Sequence, residues 1–343
     1  MILQSAKPGT PGPTPEQGAK QAFVAQVRPQ LGTKKKARLV SHSGDDERGQ
    51  WVKVLGYSFS GGGKTYLIVF LLRCGFRVLY ASTDFGGSGI STVRNELKRT
   101  YEVHLLKNLR HVDVPDYDTM YELARNPADV LDFNPYEWDN DDKPFCFVWD
   151  GYTGFQQFQL SEKVSSIDPL SEDKASAGRN EGLWFDRSDW GMIRIGSLRP
   201  LSWFLLQHNR LTGKLWHKYV TALENKPSED KLTGKMQKAP LIQGAAGSII
   251  PAAFDIILEM RAKSLPSGET LYTYGCAGNE KILAKSRGYG LAPEEPADFG
   301  KIWTEKIAPG LGGGAQFNES AKMAPDERIP DVEPEKVEHP LES

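Results

Sequence analysis

The chain has little cysteine, no long apolar run and no excess of one charge. Its 343 residues include three cysteines, Cys74, Cys146 and Cys276. They sit in apolar surroundings without C-x-x-C spacing or a nearby histidine cluster. That excludes a disulfide framework or a zinc site and leaves them as small buried hydrophobes. No apolar stretch reaches the roughly 20 residues that a membrane span needs. The N-terminus lacks the basic-then-apolar pattern of a signal peptide, so a cytosolic protein without membrane contact is expected. The formal net charge is -2. There is thus no global basic field to hold nucleic acid, and any such binding must come from a local patch or from loops. The charged fraction of 25% and the hydrophobic fraction of 39% are ordinary for a globular chain, which leaves room for one large domain or two modest ones.

What the sequence does have is concentrated in residues 51–83, WVKVLGYSFSGGGKTYLIVFLLRCGFRVLYAST. An apolar run (52–55) meets a Gly/Ser-rich loop (56–63), then Lys64-Thr65, an unbroken apolar segment (66–74) and a second apolar run (76–80). Strand, glycine loop, helix, strand is the order of a phosphate-binding βαβ unit. Ser60, Gly61, Gly62 and Gly63 would turn backbone N–H groups onto an anion that side chains would otherwise obstruct. The helix adds its positive N-terminal end. Lys64 would reach the β- and γ-phosphates, and the Thr65 hydroxyl would hold Mg²⁺. The pattern G-x-x-x-x-G-K-[ST] is met except at its first position, which is Ser58; Gly56 lies two places too early to replace it. The plainer alternative is a glycine-rich turn before a buried helix, with Lys64 solvated.

Three regions follow from composition. Residues 1–48 carry PGTPGPTP and the basic run Lys34-Lys35-Lys36-Ala37-Arg38, and read as a disordered segment. Residues 49–305 form the folded core. Residues 306–343 read as a flexible acidic tail, with Glu333, Glu335, Glu338 and Glu342 between prolines. Within the core, strands are expected at 76–81, 109–114, 145–150, 201–206, 254–260 and 270–274, with 214–223 as a strand in a hairpin. Helices are expected at 90–100, 117–125 and 188–198, the last capped by Ser188 or Asp189. Residues 162–189 read as an insertion or loop.

The run FCFVWD at 145–150 has no alternation, as in a strand buried on both faces of a parallel sheet. Its terminal Asp150 would point into the crevice where open α/β sheets bind ligands and would hold the Mg²⁺ shell. Asp84, at the end of the strand after the phosphate loop, could orient or deprotonate an attacking water, or simply cap the next helix. Gln207, after the 201–206 run, could contact a γ-phosphate or be an ordinary polar strand end. Lys285 and Arg287 point to one side at strand spacing. Two cations so placed could clamp a γ-phosphate of a neighbouring subunit, or be a solvated pair. Lysines 226, 231, 235 and 238 could neutralise DNA phosphates, and Trp216 or Tyr219 could stack on bases or pack in the core.

GGGKT, Asp84, FVWDGYTGF, FLLQHNR with Gln207, and AKSRGYG stand in an order that resembles the RecA-type P-loop ATPases, over roughly residues 51–303. The segment 240–257, PLIQGAAGSIIPAAFDII, resembles their glycine-bearing DNA-contacting loop with the helix and strand after it. More narrowly, the chain is similar to phage-encoded AAA-type nucleotide-binding proteins with a reduced RecA core, a group that includes ATP-dependent single-strand annealing proteins. The resemblance implies an α/β, RecA-like P-loop NTPase with a mostly parallel central sheet flanked by helices. It implies ATP and Mg²⁺ as ligands, a homo-oligomeric ring or filament, and single-stranded DNA with its binding protein as partners, in the host cytoplasm if phage-encoded. K-S-R-G resembles the trans-acting K-x-R element of such motors. Most relatives carry Glu where this chain has Asp84, so slow hydrolysis is expected. A helicase loader, a packaging or assembly ATPase, or a nucleotide-dependent interaction module remains the alternative.

Overall fold

Six parallel strands carry the centre of the molecule. In the computed structural model they are β1 (Lys53–Ser58), β2 (Arg77–Ser82), β3 (Leu109–Asp113), β4 (Phe145–Asp150), β5 (His217–Leu223) and β6 (Ile256–Ser264). The structure describes residues 51–311, except 85–87, 140, 167–186, 227, 230–235, 244–245, 269 and 280. Strand order is β6-β1-β5-β4-β2-β3, all neighbours parallel. Beyond β6 the sheet turns antiparallel through β7 (Thr270–Gly275), the two-residue β8 (Lys285–Ser286) and β9 (Glu294–Pro296). The expected α/β class with a mostly parallel, helix-flanked sheet is what is found.

Each face of the sheet has its own core. On one side β1, β2 and β6 pack Val54, Tyr80, Leu258 and Met260 against α1 (Tyr66–Arg73), α2 (Ser88–Arg99) and the C-terminal residues 299–311. On the other side Leu55, Tyr57, Phe147 and Trp149 meet α3 (Tyr117–Arg125), α4 (Tyr152–Ser166) and α5 (Arg187–Leu206). All six residues of β4 are buried, which accounts for its unbroken apolar run. Ile307, Ala308 and Leu311 belong to the first core, so the packed chain runs past 305.

Several expectations are corrected. Residues 201–206 are the end of helix α5, not a strand. Leu201, Phe204 and Leu205 are buried while Ser202 and Leu206 are exposed, a helical spacing that a short apolar run hides. The strand at 217–223 is not half of a hairpin but the parallel β5, inserted between β1 and β4. Ser188 and Asp189 fall inside the first turn of α5 and do not precede it. Of the expected loop 162–189, residues 162–166 continue α4 and 187–189 begin α5, while 167–186 lie outside the described residues. The two expected tails, 1–48 and most of 306–343, also lie outside them.

Candidate functional site

The C-terminal ends of β1, β5 and β2, with parts of β6 and β7, border a cavity of about 560 Å³. Residues 60–66 form its floor, with Asp84, Thr92, Glu96 and Arg99 on one wall and Leu223, Arg261, Tyr272 and Tyr274 on the other. This size suits a nucleotide, since ligand pockets run from about 300 to 1,000 Å³.

The loop between β1 and α1 owes its path to two left-handed residues, Gly61 (φ 80°) and Gly63 (φ 91°), positions where any side chain would be strained. Ser58, the departure from the glycine pattern, does not have a positive φ, because it is still the last residue of β1. Its side chain therefore fits without backbone strain, and its hydroxyl donates to the Phe59 carbonyl at 2.8 Å. Lys64 Nζ lies back along the loop, donating to Ser58 O (3.2 Å), Ser58 Oγ (3.2 Å) and Phe59 O (3.0 Å). Burial lowers its pKa, while the Asp150, Asp84 and Glu224 carboxylates oppose that shift. From beneath, the hydroxyl of buried Tyr219 donates to the Lys64 carbonyl at 3.0 Å.

Asp150 is held by three hydroxyls from three elements. Thr65 Oγ1 (3.1 Å) and Tyr80 Oη (2.6 Å) donate to its Oδ2, and Thr221 Oγ1 donates to its Oδ1. Thr221 also accepts the Gly151 N–H at 2.8 Å. Asp84 stands at the rim beside this group. A Cβ on Gly151 (φ 94°) would lie 2.3 Å from Asp84 Oδ1, so glycine is required there for the two strand ends to approach. Desolvation by the crevice and then the Asp150 charge push the Asp84 carboxyl up to about 6, with Lys64 opposing.

The oxygen-only set of Thr65 and Asp150, 3.1 Å apart beside the phosphate loop, fits a hard cation such as Mg²⁺. These two residues would hold it, and it would neutralise phosphate charge when bound.

Of the residues singled out from sequence, Ser60 to Thr65, Asp84 and Asp150 are brought together. Gln207 is not. It follows α5, is buried, and its amide donates to the Ala124 (2.9 Å) and Arg125 (2.6 Å) carbonyls, tying down the end of α3. The position beside β4 belongs instead to β5, which supplies Thr221 and leads directly into Glu224. Lys285 and Arg287 sit at the other end of the sheet. Ser286 is level with Ile256 and so with Val54, four residues or roughly 13 Å before Ser58. Arg287 is 60% exposed and contacts Asp255 (3.5 Å) and the Ala252 carbonyl (3.1 Å). Within one chain this pair does not reach the cavity.

The aromatic candidates for base stacking are corrected. Trp216 is buried, stacked on Phe145 at 4.4 Å, with its Nε1 donating to Asp139 Oδ2 at 2.6 Å. Tyr219 is buried under the phosphate loop. Among the candidate lysines, Lys238 is engaged with Glu224 (3.0 Å) and Glu259 (3.3 Å), and Lys226 is exposed. Lys231 and Lys235 lie outside the described residues. Thr221 and Tyr80 were not foreseen as site residues, and Tyr219 was expected to stack on bases, not to support the loop; their only local signal is a polar or aromatic residue inside an apolar strand.

No family model matches the sequence, and no curated protein matches it. Among solved structures the chain is similar to the RadB recombinase, with a TM-score of 0.38 and 15% identity over 66% of this chain and 80% of that one. It is also similar to the flagellar accessory protein FlaH from Methanocaldococcus jannaschii (TM-score 0.36, 12% identity, 76% of this chain and 95% of that one). A third is an ATPase from the type III secretion system of pathogenic bacteria (TM-score 0.36, 12% identity, 61% of this chain and 52% of that one). No helix among the described residues is long and apolar enough to cross a membrane.

Proposed function

We propose that the chain is a RecA-like ATPase that binds Mg·ATP at residues 60–65 and hydrolyses it. The observation that carries this reading is the contact of Thr65 with Asp150 at 3.1 Å directly behind the glycine loop. It joins the two parts that a phosphoryl-transfer site needs, a phosphate cradle and a carboxylate for the metal shell. Asp84 is the carboxylate for the attacking water. Lys285 and Arg287 act in trans, on the cavity of the next subunit in a ring or filament. The pathway we favour is DNA recombination or single-strand annealing in a phage context, with single-stranded DNA and a single-strand-binding protein as partners. Lys226 and the lysines at 231 and 235 would supply its phosphate contacts. A second reading is an ATPase that loads, packages or assembles other proteins, or a module that scarcely turns over. It is favoured by the burial of Trp216 and Tyr219 and by the engagement of Lys238, which remove three of the expected DNA contacts.

One experiment separates these. ATP turnover is measured for the wild type and Lys64→Ala, with and without single-stranded DNA. Wild-type turnover that DNA stimulates and Lys64→Ala abolishes supports the first reading. Turnover indifferent to DNA supports the second, and wild-type turnover in Lys64→Ala sinks the phosphate-loop assignment.

A further inference from the structure

A chain of charges runs from the end of β5 to the mouth of the cavity. Glu224 and Glu259 have side chains only 2% and 1% exposed. Lys238 lies between them, 3.0 Å from Glu224 and 3.3 Å from Glu259 Oε1. Glu259 Oε2 accepts from Arg261, whose Nε donates at 2.7 Å and whose Nη2 is closer still. The remaining edge of that guanidinium, Nη1, reaches Glu294 on β9 at 3.2 Å. Arg261 lines the cavity, and register explains why. Glu259 is level with Tyr57, one residue before the end of β1, so Arg261 stands two residues further out, beside the glycine loop.

The two ends of this guanidinium are held very differently. The Nε edge is fixed by a buried carboxylate, which needs Arg261 and Lys238 to offset its own desolvation. The Nη1 edge faces a carboxylate that is 56% exposed, a pair of the kind that contributes little in water. An anion entering the cavity therefore competes with Glu294 for Nη1 without disturbing the Glu259 pairing. Arg99, the other guanidinium on the wall, is 71% exposed and already bonded through two nitrogens to Glu96, which also accepts from Tyr66. Its carboxylate partner, 11% exposed, is shared with Arg73 at 3.7 Å, and the guanidinium itself stands on the helix surface.

We propose that Arg261 is a phosphate-binding residue of the nucleotide pocket, supplied by the same chain as the glycine loop. It is oriented by buried Glu259 and released to the ligand by Glu294. This deepens the nucleotide reading given above and rests on it. Arg261 would add a planar donor to the spherical charge of Lys64, a geometry suited to phosphate oxygens.

The test measures the binding of ATP and of adenosine to the wild type, Arg261→Ala and Glu294→Gln, with thermal melting as the check on folding. Hydrogen bonds to charged groups are worth about 1.5–3 kcal/mol, so Arg261→Ala should weaken ATP binding roughly 10- to 100-fold. Glu294→Gln should tighten it, and adenosine should bind all three proteins equally. A folded Arg261→Ala protein with wild-type ATP affinity overturns the assignment, as does an equal loss for adenosine, which would place the contact on the base or ribose. If Arg261→Ala fails to fold, because Glu259 is left buried with one partner fewer, unchanged ATP affinity in Glu294→Gln overturns it instead. A wild-type chain that binds no ATP removes the nucleotide reading and this assignment with it, whereas intact binding that ignores both variants removes this assignment alone.

Discussion

Thr221→Val tests whether the Asp150 cradle is held as the geometry implies. Thr221 is fully buried, and its hydroxyl makes two bonds at once, donating to Asp150 Oδ1 and accepting from the Gly151 N–H at 2.8 Å. Valine keeps the shape and removes both. Loss of a hydrogen bond to a carboxylate amounts to about 1.5–3 kcal/mol, and an unpartnered buried N–H adds about 1–3 kcal/mol. Neighbouring losses overlap, so the sum should fall at about 2–4 kcal/mol. That is a large part of a typical 5–15 kcal/mol and leaves the protein folded. Thr221→Ser keeps both bonds and loses one methyl, and should lose only about 1 kcal/mol. Asp150→Asn makes the acceptor neutral, so in that background Thr221→Val should lose about 1 kcal/mol less. The assay is urea unfolding of the five proteins, wild type, the three single variants and the double variant, in buffer without nucleotide. A Thr221→Val protein within about 0.5 kcal/mol of wild type would refute the reasoning, because neither bond would then carry weight.

Two further outcomes follow from the site. With Asp84 pushed up to about 6, its carboxylate form dominates only above that pH; kcat/KM for ATP should therefore fall about tenfold per pH unit below about 6, and Asp84→Asn should abolish that acidic limb along with most of the rate. Arg287→Ala should retain ATP binding and lose hydrolysis, since the residue lies away from its own cavity, and mixing it with Lys64→Ala should restore part of the activity at interfaces that join an intact loop to an intact Arg287; an unaltered Arg287→Ala turnover would dismiss the trans assignment.

The glycine loop and β4 were legible because their signals are local. A glycine run followed by Lys-Thr, and six apolar or aromatic residues ending in Asp, each describe one element that needs no partner to be recognised. The strand order was not legible. LSWFLL at 201–206 and HKYVTAL at 217–223 are both short and mixed, and only the tertiary fold decides that the first closes a helix and the second enters the sheet. Once that pair was exchanged, Gln207 moved with its helix to the end of α3, and the sheet position beside Asp150 passed to Thr221. The same limit hid Tyr219. Its bond to Lys64 spans 155 residues, and nothing in the spacing of a Tyr inside an apolar strand distinguishes a base-stacking ring from a strut. Gly56 was visible but misplaced as a candidate loop glycine. A Cβ there would lie 2.8 Å from the Tyr219 hydroxyl, so the glycine clears the way for that strut.

Taken with the charge chain, these contacts describe a loop supported from several sides by groups that sequence spacing cannot associate. Tyr219 fixes the Lys64 carbonyl, Tyr80 and Thr221 fix the carboxylate behind Thr65, and Glu259 fixes the guanidinium across the cavity. Each support is buried; Lys64 and Arg261 line the opening, and Asp150 lies buried directly behind Thr65, which does, so the groups that would meet a ligand are pre-oriented by ones that would not. Both Asp150 oxygens accept hydroxyl bonds, and of the three donors only Thr65 belongs to the loop itself, so Thr65 and Asp150 would be the pair to hold a cation. Tyr80 and Thr221 come from β2 and β5 and would stay in place if Thr65 turned to such a cation. The carboxylate would then keep two of its three donors, so that a buried charge could be used without being left unpaired.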